Sequence, residues 1–304
     1  MKRRLPHSKT ARGAALMLSL WALFLLSAMV ISWAVDISSQ VTMSGNANRI
    51  LDAEAMACSG AEVALHPVIK PGSPSLQGML GRNKSYEAHI SGEGGRLNIN
   101  WLIAGEDPTR LGILRSYLQE KGVDLNERDH MIDCLLDWVD PDNLARLNGA
   151  EDGDNYHPDN TLLTRLDTLK KVKGWEQFTS VPGWDKDFTL NSSGPIDVTW
   201  ASREVLLALP GLTDAMVDRF IQIRNGGDGI LGTDDDFQFK TTQEVQGALG
   251  LQEEQFQAIG ALISVKDQVY RVVSVGKAGF ATHTVQMVFR RVGVVPQVIT
   301  WKEF

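Results

Sequence analysis

The residues best placed to do chemistry are carboxylates crowded into short loops. Between Asp133 and Asp159 lie Asp133, Asp137, Asp140, Asp142, Glu151, Asp152, Asp154 and Asp159, against the single base Arg146. A second run reads Asp228-Gly229-Ile230-Leu231-Gly232-Thr233-Asp234-Asp235-Asp236. Carboxylates this dense repel one another unless they are solvated or neutralised by a cation, and hard oxygen donors in glycine-rich loops suit Ca²⁺. Neither loop follows the EF-hand pattern, because Tyr156 and Leu144 stand where a third oxygen ligand belongs. On spacing alone, solvated acidic loops and cation sites are both open readings.

Other motifs lose on context. Gly227 to Gly232 matches G-x-G-x-x-G, but no strand precedes it and acids follow where a helix should begin, so a dinucleotide site is excluded. Val205 to Arg224, turning at Pro210-Gly211-Leu212, resembles a helix-hairpin-helix of the kind that elsewhere holds DNA phosphates. Its bases Arg203, Arg219, Arg224 and Lys240 are outnumbered by surrounding acids, which repel a phosphate backbone, so the hairpin reads as packing. H-E-x-x-H, G-x-S-x-G and P-loop patterns do not occur, and the six histidines are scattered. The chain reads as a non-enzyme. Cys58 and Cys134 lack zinc or CxxC spacing; a disulfide in an oxidising compartment and two buried free thiols are both open.

The elements that must carry these loops divide the chain clearly. It has 304 residues, 43% hydrophobic and 22% charged, with net charge −7, which fits a globular protein with one added membrane segment and no global attraction to nucleic acid. Lys2, Arg3, Arg4, Lys9 and Arg12 precede an uncharged run from Ala14 to Val35, which is closed by Asp36. Such a run spans a hydrocarbon core of about 30 Å as a helix, with the basic flank cytoplasmic and the remainder exported. Apolar residues continue at helical spacing to the stop at Pro67, so residues 14–66 form one helix of roughly 80 Å, with Gly45 a point of bending. Tyr86 to Ser91 and Arg96 to Trp101 read as strands, as do Gln268 to Val275, Ala281 to Arg291 and Val294 to Trp301, with Gly276 to Gly279 and Gly293 at the turns. Between them, residues 102–265 read as helical hairpins: Leu163 to Val172, Val205 to Leu209 and Val245 to Leu249 each end near a glycine.

Arg12-Gly13-Ala14-Ala15-Leu16-Met17-Leu18 resembles the processing site of type IV prepilins and pseudopilins. The resemblance implies that a prepilin peptidase cuts between Gly13 and Ala14 and methylates the new amino terminus. The fifth residue after the cut is Leu18, where most pilins carry glutamate; the K class of type II secretion pseudopilins lacks it. Asp137-Trp138-Val139-Asp140-Pro141-Asp142, Asn148-Gly149-Ala150-Glu151-Asp152 and Tyr156 are similar to the DW-x-D-x-D … GAE … Y stretch of that class. Arg96 to Asn100 is similar to the segment before its helical insertion, and Ala201 to Leu212 is similar to its second helical subdomain.

The chain is therefore identified as a resemblance to the minor pseudopilin K family. That implies an α+β pseudopilin fold: leader 1–13, long helix 14–66 with 14–35 in the membrane, first α+β part 67–101, inserted all-α domain 102–265, and closing strands 266–304. It implies a tip subunit of the periplasmic pseudopilus that supports export across the outer membrane. The chain would sit in the bacterial inner membrane, single-pass, with its amino terminus cytoplasmic. The implied partners are pseudopilins of the I and J classes, the peptidase and the inner-membrane secretion platform, not nucleic acid. A minor pilin of a type IV pilus or competence system is the alternative. Calcium binding in the insertion is also implied, with candidate ligands Asp140, Asp142, Glu151 and Asp152 in one loop and Asp228, Thr233, Asp234 and Asp236 in the other.

Overall fold

A computed structural model of the chain describes residues 10–304 apart from Asp154 and Val294, with side chains from Gly13 onward. Most of the basic leader, Met1 to Lys9, lies outside the described residues, as does the Asp154 carboxylate.

Helix α1 runs Thr10–Leu65, uninterrupted through Gly45. Leu16 through Leu51 leave their large apolar side chains exposed, the pattern of a helix whose solvent is lipid or another helix rather than its own domain. Burial begins further along. Ala53, Ala57, Ala61 and Ala64 recur on one face and have no exposed surface. Such small side chains let the helix lie close to a sheet. The approach is tightest at Gly276, where a Cβ would collide with the Ala53 carbonyl oxygen and the Ala57 nitrogen. Arg291 secures the end of α1, its Nη2 donating to the carbonyls of Ala64 at 3.1 Å and Ile69 at 2.9 Å.

The sheet beneath is antiparallel and has five strands. Strands β1 (Gln77–Leu80) and β2 (Lys84–Gly92) precede the insertion. The insertion follows in chain order: β3 (Leu97–Asn98), α2 (Ile99–Ile103), α3 (Pro108–Glu120), α4 (Leu125–Val139), α5 (Glu176–Ser180), β4 (Phe188–Thr189), β5 (Ile196–Asp197), α6 (Arg203–Leu207), α7 (Asp214–Arg224), α8 (Thr242–Leu249), α9 (Glu253–Ile259) and β6 (Ile263–Ser264). The sheet then resumes with β7 (Val269–Ala278), β8 (Ala281–Arg290) and β9 (Gln297–Glu303). β2 and β7 are hydrogen-bonded neighbours from Lys84 opposite Ala278 to Gly92 opposite Tyr270. The insertion thus leaves and re-enters the sheet at one point.

Several local elements depart from the sequence pattern. The strand expected over Arg96 to Trp101 lasts two residues. Asn98 then accepts a hydrogen bond from the Trp101 amide and caps α2, which turns the chain helical. Gly276, Lys277 and Ala278 belong to β7. The turn is only Gly279-Phe280, with Gly279 at φ 61°. Leu163 to Val172 is a 3-10 turn at Leu166–Lys171. The insertion also holds two short parallel pairs, β3 with β4 and β5 with β6.

The insertion has its own core, separate from that beneath α1. Trp175 is fully buried and donates from Nε1 to the Met131 carbonyl at 2.8 Å. Phe188 meets Tyr117, Trp175, Phe178 and Trp184 edge-on or tilted. The two cysteines are free thiols, Cys58 on α1 and Cys134 inside α4. Burial first, then Asp137, pushes the Cys134 thiol up to about 12, so it stays protonated and inert.

Candidate cation site in the insertion

The end of α4 builds the site. Asp133 and Asp137 are four residues apart on one helical face, and Asp140 follows at the helix end. The loop then doubles back. Asn148 donates from its amide and from Nδ2 to Asp133 Oδ2, at 3.2 and 3.1 Å. Gly149 passes directly over Asp137, where a Cβ would overlap Oδ2. This fold-back carries Glu151 beside the α4 acids.

Asp137, Asp140 and Glu151 each bring a carboxylate oxygen within 4.8 Å of the others. Asp137 has no exposed surface. Arg146 partly balances the cluster: Nη1 donates to Asp137 Oδ1 and Asp140 Oδ2, and Nη2 reaches Glu106 at 2.7 Å. Burial opposes the Arg146 charge, yet these three carboxylates raise its pKa overall. One guanidinium does not serve three clustered acids. Asp140 Oδ1 and both Glu151 oxygens are buried without a hydrogen-bond partner. Burial first, then Asp137, Asp140 and Asp142, holds the Glu151 carboxyl above the usual range. Unpartnered carboxylate oxygens converging at this spacing are the donor set of a hard cation, and these residues fit Ca²⁺.

The expected ligands divide. Asp140 and Glu151 come together. Asp142 Oδ1 instead accepts from the Leu144 amide at 2.8 Å, and Asp152 pairs with His157 Nδ1 at 2.6 Å on the surface. Asp137 was not among the expected ligands. Its three-residue step to Asp140 at a helix end is the signal that reveals it.

In the second loop the acids hold the backbone. Asp235 Oδ2 accepts from the amides of Gly227 and Asp228, and its Oδ1 from the Thr233 hydroxyl. These bonds hold the Asp235 carboxyl below its ordinary range. Asp236 Oδ2 accepts from the amides of Gly232 and Thr233, while its Oδ1 is buried and unpartnered. Asp228 closes on Ile230, and Asp234 is exposed. Among the described residues, no three carboxylates converge here as they do in the first loop.

Gly13 and Ala14 sit inside α1, both exposed. In the hairpin, Arg203 pairs with Asp214 and Asp218. Arg219 donates to the Ala248 carbonyl, and buried Arg224 to those of Val198 and Ala201. Burial lowers the Arg224 pKa to about 10.

A long apolar helix lying through small residues on an antiparallel sheet, with a helical unit inserted between adjacent strands, is a pseudopilin fold. Residues 95–179 match the family model described as type II secretion system (T2SS), protein K. A 71-residue stretch is 32% identical to type II secretion system protein K of Dickeya chrysanthemi, covering 23% of this chain and 20% of that protein. The fold is similar to a chain in the crystal structure of the GspK-GspI-GspJ complex from enterotoxigenic Escherichia coli type 2 secretion system. There the TM-score is 0.58 at 13% identity, covering 88% of this chain and 99% of the other. Residues 95–179 thus carry the likeness to protein K of the type II secretion system, and among the described residues one helix is long and apolar enough to cross a membrane.

Proposed function

We propose that this chain is a minor pseudopilin that helps form the tip of the periplasmic pseudopilus and supports export across the outer membrane. The observation that carries the reading is α1 itself, apolar and exposed to Leu51, then packed on the sheet by its alanine stripe. Exposed apolar surface of this extent must be covered, first by a bilayer and then by neighbouring helices. The basic leader sets the amino terminus in the cytoplasm and the insertion in the periplasm. The matched complex includes the I and J proteins, and their classes are the partners we assign here. Prepilin peptidase would cut after Gly13 and methylate Ala14, and the inner-membrane platform would then take up the mature chain.

The role is structural, not enzymatic. The hairpin arginines are already engaged by acids and carbonyls, which favours packing over phosphate binding. Calcium, held by Asp137, Asp140 and Glu151, would supply charge neutralisation that fixes the loop fold-back. The second loop is assigned the same ion more weakly, through Asp228, Thr233, Asp234 and Asp236.

The intact mass and amino terminus of the membrane-extracted protein test the reading. A mature chain beginning at N-methyl-Ala14 is expected. An unprocessed Met1 terminus in a strain with active peptidase would remove its main support.

A further inference from the structure

Strand β9 forms one edge of the five-stranded sheet, and its large apolar side chains stay open. Val298 is 49% exposed, Ile299 40% and Trp301 39%, with Phe304 beyond them at 70%. Helix α1 covers β2, β7 and β8, and β9 lies past them. Thr284 and Phe304 exchange both backbone hydrogen bonds, at 3.1 and 2.9 Å. Antiparallel ladders alternate, so Lys302 also faces β8 while the N–H and C=O groups of Trp301 and Glu303 point outward. Natural edges are usually blunted by proline, bulges or charge. Pro296 and the register shift at Val288/Phe289 protect the first half of β9, while the half from Thr300 onward is regular and carries only the charges of Lys302 and Glu303.

Cys58 of α1 packs against the cluster containing Val285 and Met287. The β9 partners of those two residues are Glu303 and Trp301. Glu303, Glu54 and Glu62 all stand near enough to the Cys58 thiol to raise its pKa, after burial itself. The surface between α1 and β9 is therefore apolar with an acidic rim, in which Glu303 Oε1 accepts from Trp301 Nε1 at 2.7 Å. We propose that the β9 edge and this surface are the docking site for an extended strand of a pseudopilin partner, with an apolar side chain over Trp301 and a lysine or arginine against Glu54, Glu62 and Glu303. Main-chain bonds to Trp301 and Glu303 supply affinity, and the rim supplies selection. A second copy of this chain would bring the same acids to the rim, which disfavours self-pairing.

The assignment rests on the pseudopilin reading above, and Cys58 provides the test. Full-length chain in membranes is labelled with a maleimide, alone and co-expressed with its I and J pseudopilins, while co-isolation is measured separately. Cys134 is buried and serves as the silent control. Labelling of Cys58 should slow about tenfold in the complex. Trp301→Pro, which removes an outward N–H, and Glu303→Arg, which keeps the strand and reverses one rim charge, should each restore the solitary rate. Intact co-isolation with Cys58 unprotected, or protection that survives Glu303→Arg, overturns the docking strand and leaves the functional reading standing. Failure of the I and J proteins to co-isolate with the wild-type chain overturns both.

Discussion

Arg271 grips Glu93 with two hydrogen bonds, Nε to Oε2 at 2.8 Å and Nη2 to Oε1 at 2.7 Å, where the chain leaves the sheet for the insertion. Glu93 has no exposed surface. Arg96 and the Thr189 hydroxyl complete its surroundings, so one buried charge is shared by β7 of the sheet and β4 of the insertion. Burial, then the neighbouring Arg271 charge, lowers the Arg96 pKa. The junction is electrostatic as well as covalent, and it fixes how the two cores sit against each other.

Arg271→Met should therefore destabilise the protein by about 2–3 kcal/mol, because it removes two charge-assisted hydrogen bonds and leaves the buried Glu93 only Arg96 and the Thr189 hydroxyl. Glu93→Gln combined with Arg271→Met should recover much of that loss. Urea unfolding of the detergent-solubilised chain measures both. A single-variant cost below about 1 kcal/mol would class the pair with ordinary surface bridges.

Calcium should raise the melting temperature relative to chelator. Saturation at about a hundred times the dissociation constant adds about 2.7 kcal/mol. Glu151→Gln separates a cation site from a merely strained acidic loop. It should abolish the calcium shift and also make the chelated protein no less stable, since it relieves repulsion among unpartnered carboxylates. A calcium shift of unchanged size in Glu151→Gln would remove this residue from the ligand set.

Glu204 gives an acid-limb prediction. Burial opposes its ionisation, but its own backbone amide, Lys121 and Lys186 prevail and hold its pKa at about 2. Lys121 is 3.2 Å away and Lys186 3.4 Å. A depressed carboxylate stabilises the fold above its unfolded pKa of about 4.3, and that stabilisation is lost as pH falls toward the folded value. Glu204→Gln should thus lower stability at neutral pH and flatten its decline between about pH 4 and pH 2. Parallel acid limbs in variant and wild type would show that the lysines do not hold the group.

The long helix and the closing strands were legible because their signals are long: an uncharged run with no proline, and β-branched alternation bounded by glycine. Shorter elements obeyed local chemistry that patterning does not register. Arg96 to Trp101 alternates like a strand, yet the Asn98 side chain caps the next turn and starts α2. β1 has no β-branched residue and exists only because β2 lies beside it. At the cation site, acidic density marked the right loops but not the ligands. Asp142 and Asp152 look equivalent to Asp140 in sequence, and only the fold-back over Gly149 distinguishes them. Asp235 is equally silent in sequence: its hydrogen bonds to Gly227, Asp228 and Thr233 appear only once the loop has closed.

Pilin-like assemblies pack their long helices centrally and stack globular domains outside. Here the insertion emerges between β2 and β7 and carries a core larger than the one under α1. A subunit stacked directly above would have to share space with it. Leu18 adds a second constraint, because no carboxylate stands there to neutralise a neighbour's terminal amine. An unpaired ammonium in the bilayer is costly, so placement within the filament body is disfavoured. The chain should cap the pseudopilus, one copy per filament. Gold labelling of an overproduced pseudopilus is expected at one end only. Label at regular intervals along its length would place the subunit in the shaft and defeat the capping argument. Leu18→Glu offers a finer measurement: restoring the carboxylate should allow some label away from the tip if charge contributes, and none if the insertion alone excludes the next subunit.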